Sequence, residues 1–411
     1  MAMKQTQTKL FDFSDVGLDF CAGSKNLFPD RFKKMMALGY NEQIVSSVAV
    51  AGNQVTLTYG GTHGYVADRV LKVSAPELLG INGGEFVIDS VTANTVTMTI
   101  DGAPTSITGN FITKVASLGW EIVYEQAHIH IYKFKHIDES DLYLRICFQT
   151  NASHRNAIVV AVGKTADLAL GTINDINVPG NLGTVTNSNN ASPTMLWDFT
   201  DEASSTPNNY TYSQGASTYG RGIIVGSLYH IVTMINSYSA NIEDSRAGAR
   251  CLFSVLPTYC FNYENLDYPI VIGDSEGITS IIKPSTQSGS GFLAYLGKYR
   301  VAIDIAKTTG STPGELFFPQ SNDSLLPSSI DAFGATAARP IQLFEYSTKQ
   351  FIGFISGGLQ TLSIGPLNMP VLSSVNTSPI FTKDIDLDSN VCVHGIGRLW
   401  VAVPIEEIKI A

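Results

Sequence analysis

The stretch from 48 to 104, VAVAGNQVTLTYGGTHGYVADRVLKVSAPELLGINGGEFVIDSVTANTVTMTIDGAP, constrains the fold of this chain more than any other. Val55, Leu57 and Tyr59 alternate with Thr56 and Thr58, and Val96, Met98 and Ile100 alternate with Thr95, Thr97 and Thr99. A period of two puts one set of side chains on a buried face and the other in water, the pattern of a half-buried strand. Asn82-Gly83-Gly84 and Asp101-Gly102 supply residues that tolerate positive φ, as tight β-turns require. No apolar period of helical length interrupts the pattern. The expectation is a small β-sandwich or barrel module over 45–115.

The chain then continues in short strands. In LGWEIVYEQAHIHIYKFKHIDESDLYLRICFQT, Trp120, Ile122 and Tyr124 alternate with polar neighbours, as do Leu142, Leu144 and Ile146. Asp138-Glu139-Ser140-Asp141 is a natural turn between runs. This predicts a three-stranded antiparallel meander with one wet face. NAIVVAVG (156–163) is apolar on both faces and reads as a central strand. Further runs occupy 221–235, 250–261, 268–273, 297–305, 339–347 and 351–355, and NVCVHGIGRLWVAVP (390–404) reads as a closing strand or hairpin. There is no heptad repeat and no β-α-β alternation. The fold class is therefore all-β: the small module followed by a larger antiparallel β domain over 116–411, with few short helices as connectors.

Two segments stand apart. Residues 1–44 read as an N-terminal arm whose one helix runs from Pro29 to Leu38, with proline suited to the first turn and Gly39 to the stop. Phe28, Phe32, Met35 and Met36 give it an apolar stripe. That stripe either packs on the neighbouring domain or docks another subunit, and Phe32, Met35 and Met36 are the interface candidates. Residues 171–220 form a long loop of Gly, Asn, Ser, Thr and Pro. Its Tyr210, Tyr212 and Tyr219 are further interface candidates, since exposed tyrosine among polar residues serves protein and glycan contacts alike.

Composition narrows the function. At 411 residues the chain is long enough for two or three cores. Charged residues reach only 15%, against about 25% in an ordinary globular domain. Such a surface suits assembly subunits better than a free monomer. The net charge of −10, without a Lys/Arg-rich block, argues against a nucleic-acid groove. Five widely spaced cysteines include no C-x-x-C pair, so zinc-knuckle and thioredoxin-type motifs are absent and a reducing cytoplasm is the expected site of synthesis. No signal-type apolar region or membrane-length apolar run occurs, so neither secretion by a cleaved signal nor a membrane span is expected.

The chemistry-bearing motifs are incomplete. Gly273-Asp274-Ser275-Glu276-Gly277 matches G-x-S-x-G after a strand. However, the following ITSIIKP is β-branched and broken by Pro284, and only His394 follows as a base, so Ser275 is not read as a nucleophile. His128 and His130, two apart in HIHIYKFKH, would share one strand face, a spacing that metals use. They are the metal candidates here, with a half-buried or solvent-facing pair as the ordinary alternative. Asp384, Asp386 and Asp388 begin like an EF-hand loop but lack its Gly and closing Glu. The Gly-rich 353–366 segment lacks both phosphate-loop spacings. No cofactor and no enzymatic activity are expected.

The sequence GNQVTLT, HGY and NTVT within 48–104 is similar to small β-modules that recur in virion proteins of tailed bacteriophages. The order GWEIVYEQ, YLRI and AIVVAVG that follows resembles structural proteins of contractile-tailed bacteriophages, so the likeness covers 45–163. The resemblance implies a non-enzymatic virion component, made in the bacterial cytoplasm and built into the tail or baseplate. It also implies a symmetric trimeric or hexameric ring whose partners are other tail and baseplate proteins. A host-receptor or carbohydrate-binding virion protein is the alternative, and an envelope-directed hydrolase a third.

Overall fold

A computed structural model describes residues 8–20, 27–74, 84–107, 111–148, 157–188, 195–196, 213, 222–236, 250–261, 266–275, 293–303, 338–348, 350–362, 380–384, 389–396 and 399–405. The protein is all-β: antiparallel sheets carry the described chain, and its one α-helix is the six-residue Phe28–Lys33.

Residues 40–115 build a seven-stranded sheet of their own. Its spatial order is Glu85–Val87, Val70–Ser74, Phe111–Val115, Tyr40–Ala51, Gln54–Tyr59, Thr95–Thr99 and Ser90–Val91. The first and last of these strands are consecutive in sequence. The run 85–91 pairs with Val70–Ser74 at its start and, past Ile88 and Asp89, with Thr95–Thr99 at its end. One bent strand thus serves both margins, and the sheet curls into a barrel rather than a sandwich. Val55, Leu57, Val96, Met98 and Ile100, all from the alternating positions, are buried in it, as are Leu71, Val73, Phe86 and Ile88.

The same device recurs downstream. A ten-stranded sheet runs Lys9–Asp12, Gly222–Gly226, Ile231–Asn236, Arg250–Leu256, Ile270–Ser275, Leu293–Leu296, Tyr299–Ile303, Gln342–Glu345, Phe351–Ile355 and Thr258–Cys260. Arg250–Leu256 pairs with Ile270–Ser275. After Pro257, where no backbone N–H is available to the ladder, Thr258–Cys260 pairs with Phe351–Ile355. The run 250–260 occupies the fourth and the last place and so closes the last seven positions of the order into a second barrel, filled by Leu256, Ile270, Ile272, Leu296, Val301, Ile303, Leu343, Ile352 and Ile355.

Between the barrels lies a five-stranded sheet, Met195–Leu196, Ala157–Gly163, Asp141–Phe148, Ile129–Lys135 and Glu121–Gln126, which contains the expected meander. Its second face is not wet, however. Ile129, Ile131, Cys147, Val159 and Ala161 pack there against Ile173, Val178 and Leu182 of the 171–188 segment. Arg145 is 1% exposed on that face. Its Nε donates to the Gly171 carbonyl at 2.8 Å, its Nη2 to Val185 at 2.7 Å and its Nη1 to Leu182 at 3.5 Å. One guanidinium therefore fastens a loop that brings no carboxylate to it. Burial lowers the Arg145 pKa.

The first residues are interior, not peripheral. Lys9–Asp12 pairs with Gly222–Gly226, a strand too short for its alternation to be seen in sequence. Phe13, Phe20, Phe28 and Phe32 stack in sequence, with Phe32 reaching Phe148 at 5.6 Å. The helix continues as a single π-turn, Lys34–Leu38, and ends at Gly39, whose φ is 76°. A Cβ at Gly39 would lie 2.4 Å from the Val115 carbonyl oxygen, so glycine is required on both counts. A buried ion pair joins this segment to the first barrel. Arg69 Nε and Nη2 donate to Asp15 Oδ2 and Oδ1 at 2.8 and 3.0 Å, and the Tyr40 hydroxyl donates to Oδ2 at 2.7 Å. Burial opposes the Arg69 charge, but the Asp15 carboxylate outweighs it and holds the guanidinium pKa above its usual value.

Candidate functional site

Phe32, Met35 and Met36 are fully buried inside this chain's own core. They are therefore corrected from interface candidates to core residues: an apolar stripe on a two-turn helix is covered by the strands beside it before another subunit can reach it. Tyr210, Tyr212 and Tyr219 lie outside the described residues.

The surface that does present aromatic rings is the seam of the second barrel. Tyr259 is 48% exposed, Phe261 47% and Phe351 39%. Tyr259 stands opposite Phe354 across the closing strand pair, their rings stacked at 5.4 Å. Phe261 meets Phe351 edge-on at 5.5 Å, and Phe351 meets its cross-strand neighbour Phe344 at 5.5 Å. Cross-strand aromatic pairs of this kind stabilise a sheet by roughly 0.2–1 kcal/mol each. Their outward half remains in water, which is unfavourable for a lone monomer. In sequence, PTYCF and KQFIGFI are indistinguishable from ordinary strands. The clustering appears only once Pro257 bends the first run onto the second.

The histidine pair does not form. The chain turns at Ala127 (φ 48°), so His128 sits in the turn ahead of the strand Ile129–Lys135 instead of on its face. Its Nε2 lies 2.7 Å from the Thr186 carbonyl. His130 is 2% exposed, beside the Phe148 ring and with Nδ1 2.9 Å from the Tyr132 hydroxyl. Burial lowers its pKa to about 4, against the opposing pull of Glu125. A neutral core histidine explains His130 better than ligation.

At the would-be nucleophile elbow, Gly273–Ser275 is still strand, paired with Cys251–Phe253, so the sharp strand-to-helix turn of that motif is not formed there. The acidic run opens at Asp384 on the strand Ile380–Asp384, while Asp386 and Asp388 lie outside the described residues. Among the described residues, no helix is long and apolar enough to cross a membrane. A different group of possible ligands does converge. His136 follows the strand Ile129–Lys135, Asp138 lies two residues on, and Asp267 comes from the segment before Ile270–Ser275.

Comparison of the chain with families of known proteins and with curated sequences finds no match.

Proposed function

We propose that this chain is a non-enzymatic structural subunit of a tailed-bacteriophage virion, in the tail or baseplate, which assembles through the outer face of its second barrel. The observation that carries the reading is the aromatic seam of Tyr259, Phe261, Phe351 and Phe354. Half-exposed rings arrayed across two strands form a finite apolar patch of the kind that becomes an interface core. The charge-poor composition and the phage-like wording of 45–163 point the same way.

The carbohydrate-binding alternative draws on the same rings, since flat aromatic faces stack on sugars. Here Tyr259 and Phe354 turn faces toward each other, with 29° between their planes. Phe261 stands at 66° to Phe351. A mutually stacked pair offers less open face to a pyranose than a platform would, so the protein contact is preferred.

The test is the protein's location and state. Mass spectrometry of purified particles should find the chain at a fixed copy number, and native mass spectrometry of the purified protein should find a ring. Tyr259→Ser combined with Phe261→Ser should shift the ring to monomer while leaving the β circular dichroism unchanged. A strict monomer absent from particles sinks the proposal. Retention of a glycan on the wild type but not the double variant would favour the alternative.

A further inference from the structure

We propose that His136 and Asp267 hold a divalent transition-metal ion, with Asp138 orienting the His136 ring, and that this ion clips the hairpin turn after Ile129–Lys135 to the second barrel. One ligand atom from each residue lies within 4.8 Å of the others. Ligands sharing a zinc ion stand roughly 3–4 Å apart, given bonds of about 2.0–2.1 Å and near-tetrahedral angles. His136 Nε2 is 3.7 Å from Asp267 Oδ1, and Nδ1 is 3.2 Å from Asp138 Oδ1.

Two exposed carboxylates alone would signify little, and His136 supplies the independent observation. It is 5% exposed, and its buried Nε2 makes no hydrogen bond with any described group. Asp138 Oδ1 lies 3.2 Å from Nδ1, whereas Asp267 Oδ1 stands 3.7 Å from Nε2, beyond hydrogen-bond reach. A buried imidazole nitrogen left unsatisfied is unfavourable, because it loses water without replacement. A cation between Nε2 and Asp267 would satisfy one nitrogen and leave Nδ1–H to donate to Asp138, the arrangement that fixes a metal-bound imidazole.

The carboxylates are already oriented from outside. The Ser140 backbone N–H donates to Asp138 Oδ1 at 2.9 Å, and Lys164 Nζ donates to Asp267 Oδ2 at 2.8 Å, leaving Oδ1 toward the imidazole. The His-carboxylate set suits zinc or manganese better than calcium, which takes oxygen ligands throughout. The site is built from positions about 130 residues apart in sequence, so metal binding would tie the central sheet to the barrel rather than close a local loop.

The probes are Zn2+ and Co2+ added to the full-length protein after chelator treatment. Calorimetry should show one saturable Zn2+ equivalent, and Co2+ should give visible d–d bands that Zn2+ abolishes. His136→Asn and Asp267→Asn should each weaken Zn2+ binding by at least about 10-fold, since even outer-shell losses at metal sites do as much. Asp138→Asn should weaken it less, and circular dichroism of the metal-free variants should match the wild type. Absence of a saturable equivalent overturns the proposal. So does binding that survives both His136→Asn and Asp267→Asn, or thermal stability that Zn2+ raises equally in wild type and variants.

Discussion

Replacing Asp15 by Ala removes the carboxylate that receives two Arg69 bonds and the Tyr40 hydroxyl, in a site where Asp15 is 4% and Arg69 7% exposed. Breaking a buried ion pair by deleting one partner destabilises by about 3–5 kcal/mol, because the remaining charge stays buried and uncompensated. The stranded Tyr40 hydroxyl pushes the effect toward the upper end, so we expect about 4–5 kcal/mol. Removing both charges is a different perturbation. Asp15→Leu with Arg69→Met leaves no buried charge, and apolar replacement of a buried pair is often neutral, so the double variant should lose no more than about 1.5 kcal/mol. The double variant should therefore be several kcal/mol more stable than the sum of its singles. Urea unfolding followed by tryptophan fluorescence, with the m-value checked for constancy, measures the wild type, Asp15→Ala, the singles Asp15→Leu and Arg69→Met, and the double variant. If Asp15→Ala costs under about 1 kcal/mol, or the double variant loses as much as its singles summed, the pair does not join the first segment to the barrel as argued.

Arg145→Met should destabilise by about 2–4 kcal/mol, since it leaves the buried Gly171 and the half-buried Val185 carbonyls without this donor. Hydrogen exchange should then show 166–186 loosening ahead of the sheet beneath it. Gly39→Ala should cost at least about 2 kcal/mol in thermal unfolding, for backbone strain and the clash with Val115 together. Acid should weaken the fold through His130 and His230, whose burial lowers their pKa values to about 4 and about 3. The unfolded chain takes up these protons below about pH 6.5 while the folded one does not, so their contribution is intact above that pH and falls as pH drops toward 4. His130→Gln should flatten the loss between pH 7.5 and 4.5 by roughly 2–3 kcal/mol, and an unchanged slope would contradict the assignment.

Strands were legible wherever a single face meets the core. The alternating positions of 54–59 and 95–99 are buried as their period requires, and the helix at 28–38 was marked by Pro29 and Gly39. What sequence could not carry was where strands bend and what covers their second faces. The bends at Ile88-Asp89 and Pro257 acquire meaning only through partners far along the chain. Arg145 looked wet because a charged residue on an alternating strand usually is, and its cover arrives from 171–185. His128 left its expected face through one positive φ at Ala127. The aromatic seam and the His136 cluster join segments separated by about 90 and 130 residues respectively. No local spacing encodes either.

Closing each barrel with one bent strand has a consequence for how copies of this chain can meet. An open sheet margin is a template onto which another backbone can add indefinitely. Neither barrel offers one. Among the described residues, margins remain only on short strands such as Lys9–Asp12 and Ile380–Asp384, and on Glu121–Gln126, where Glu121 and Glu125 are exposed. Glu121 repels a second copy of a protein carrying a net charge of −10, while Glu125 is held by Lys33 Nζ at 2.6 Å. Contact is thereby steered away from main-chain pairing toward side-chain patches of limited area. In the closed symmetric ring proposed above, patches of that kind would be used up when the set is complete, so growth would stop at a fixed number of copies instead of running on as a fibre.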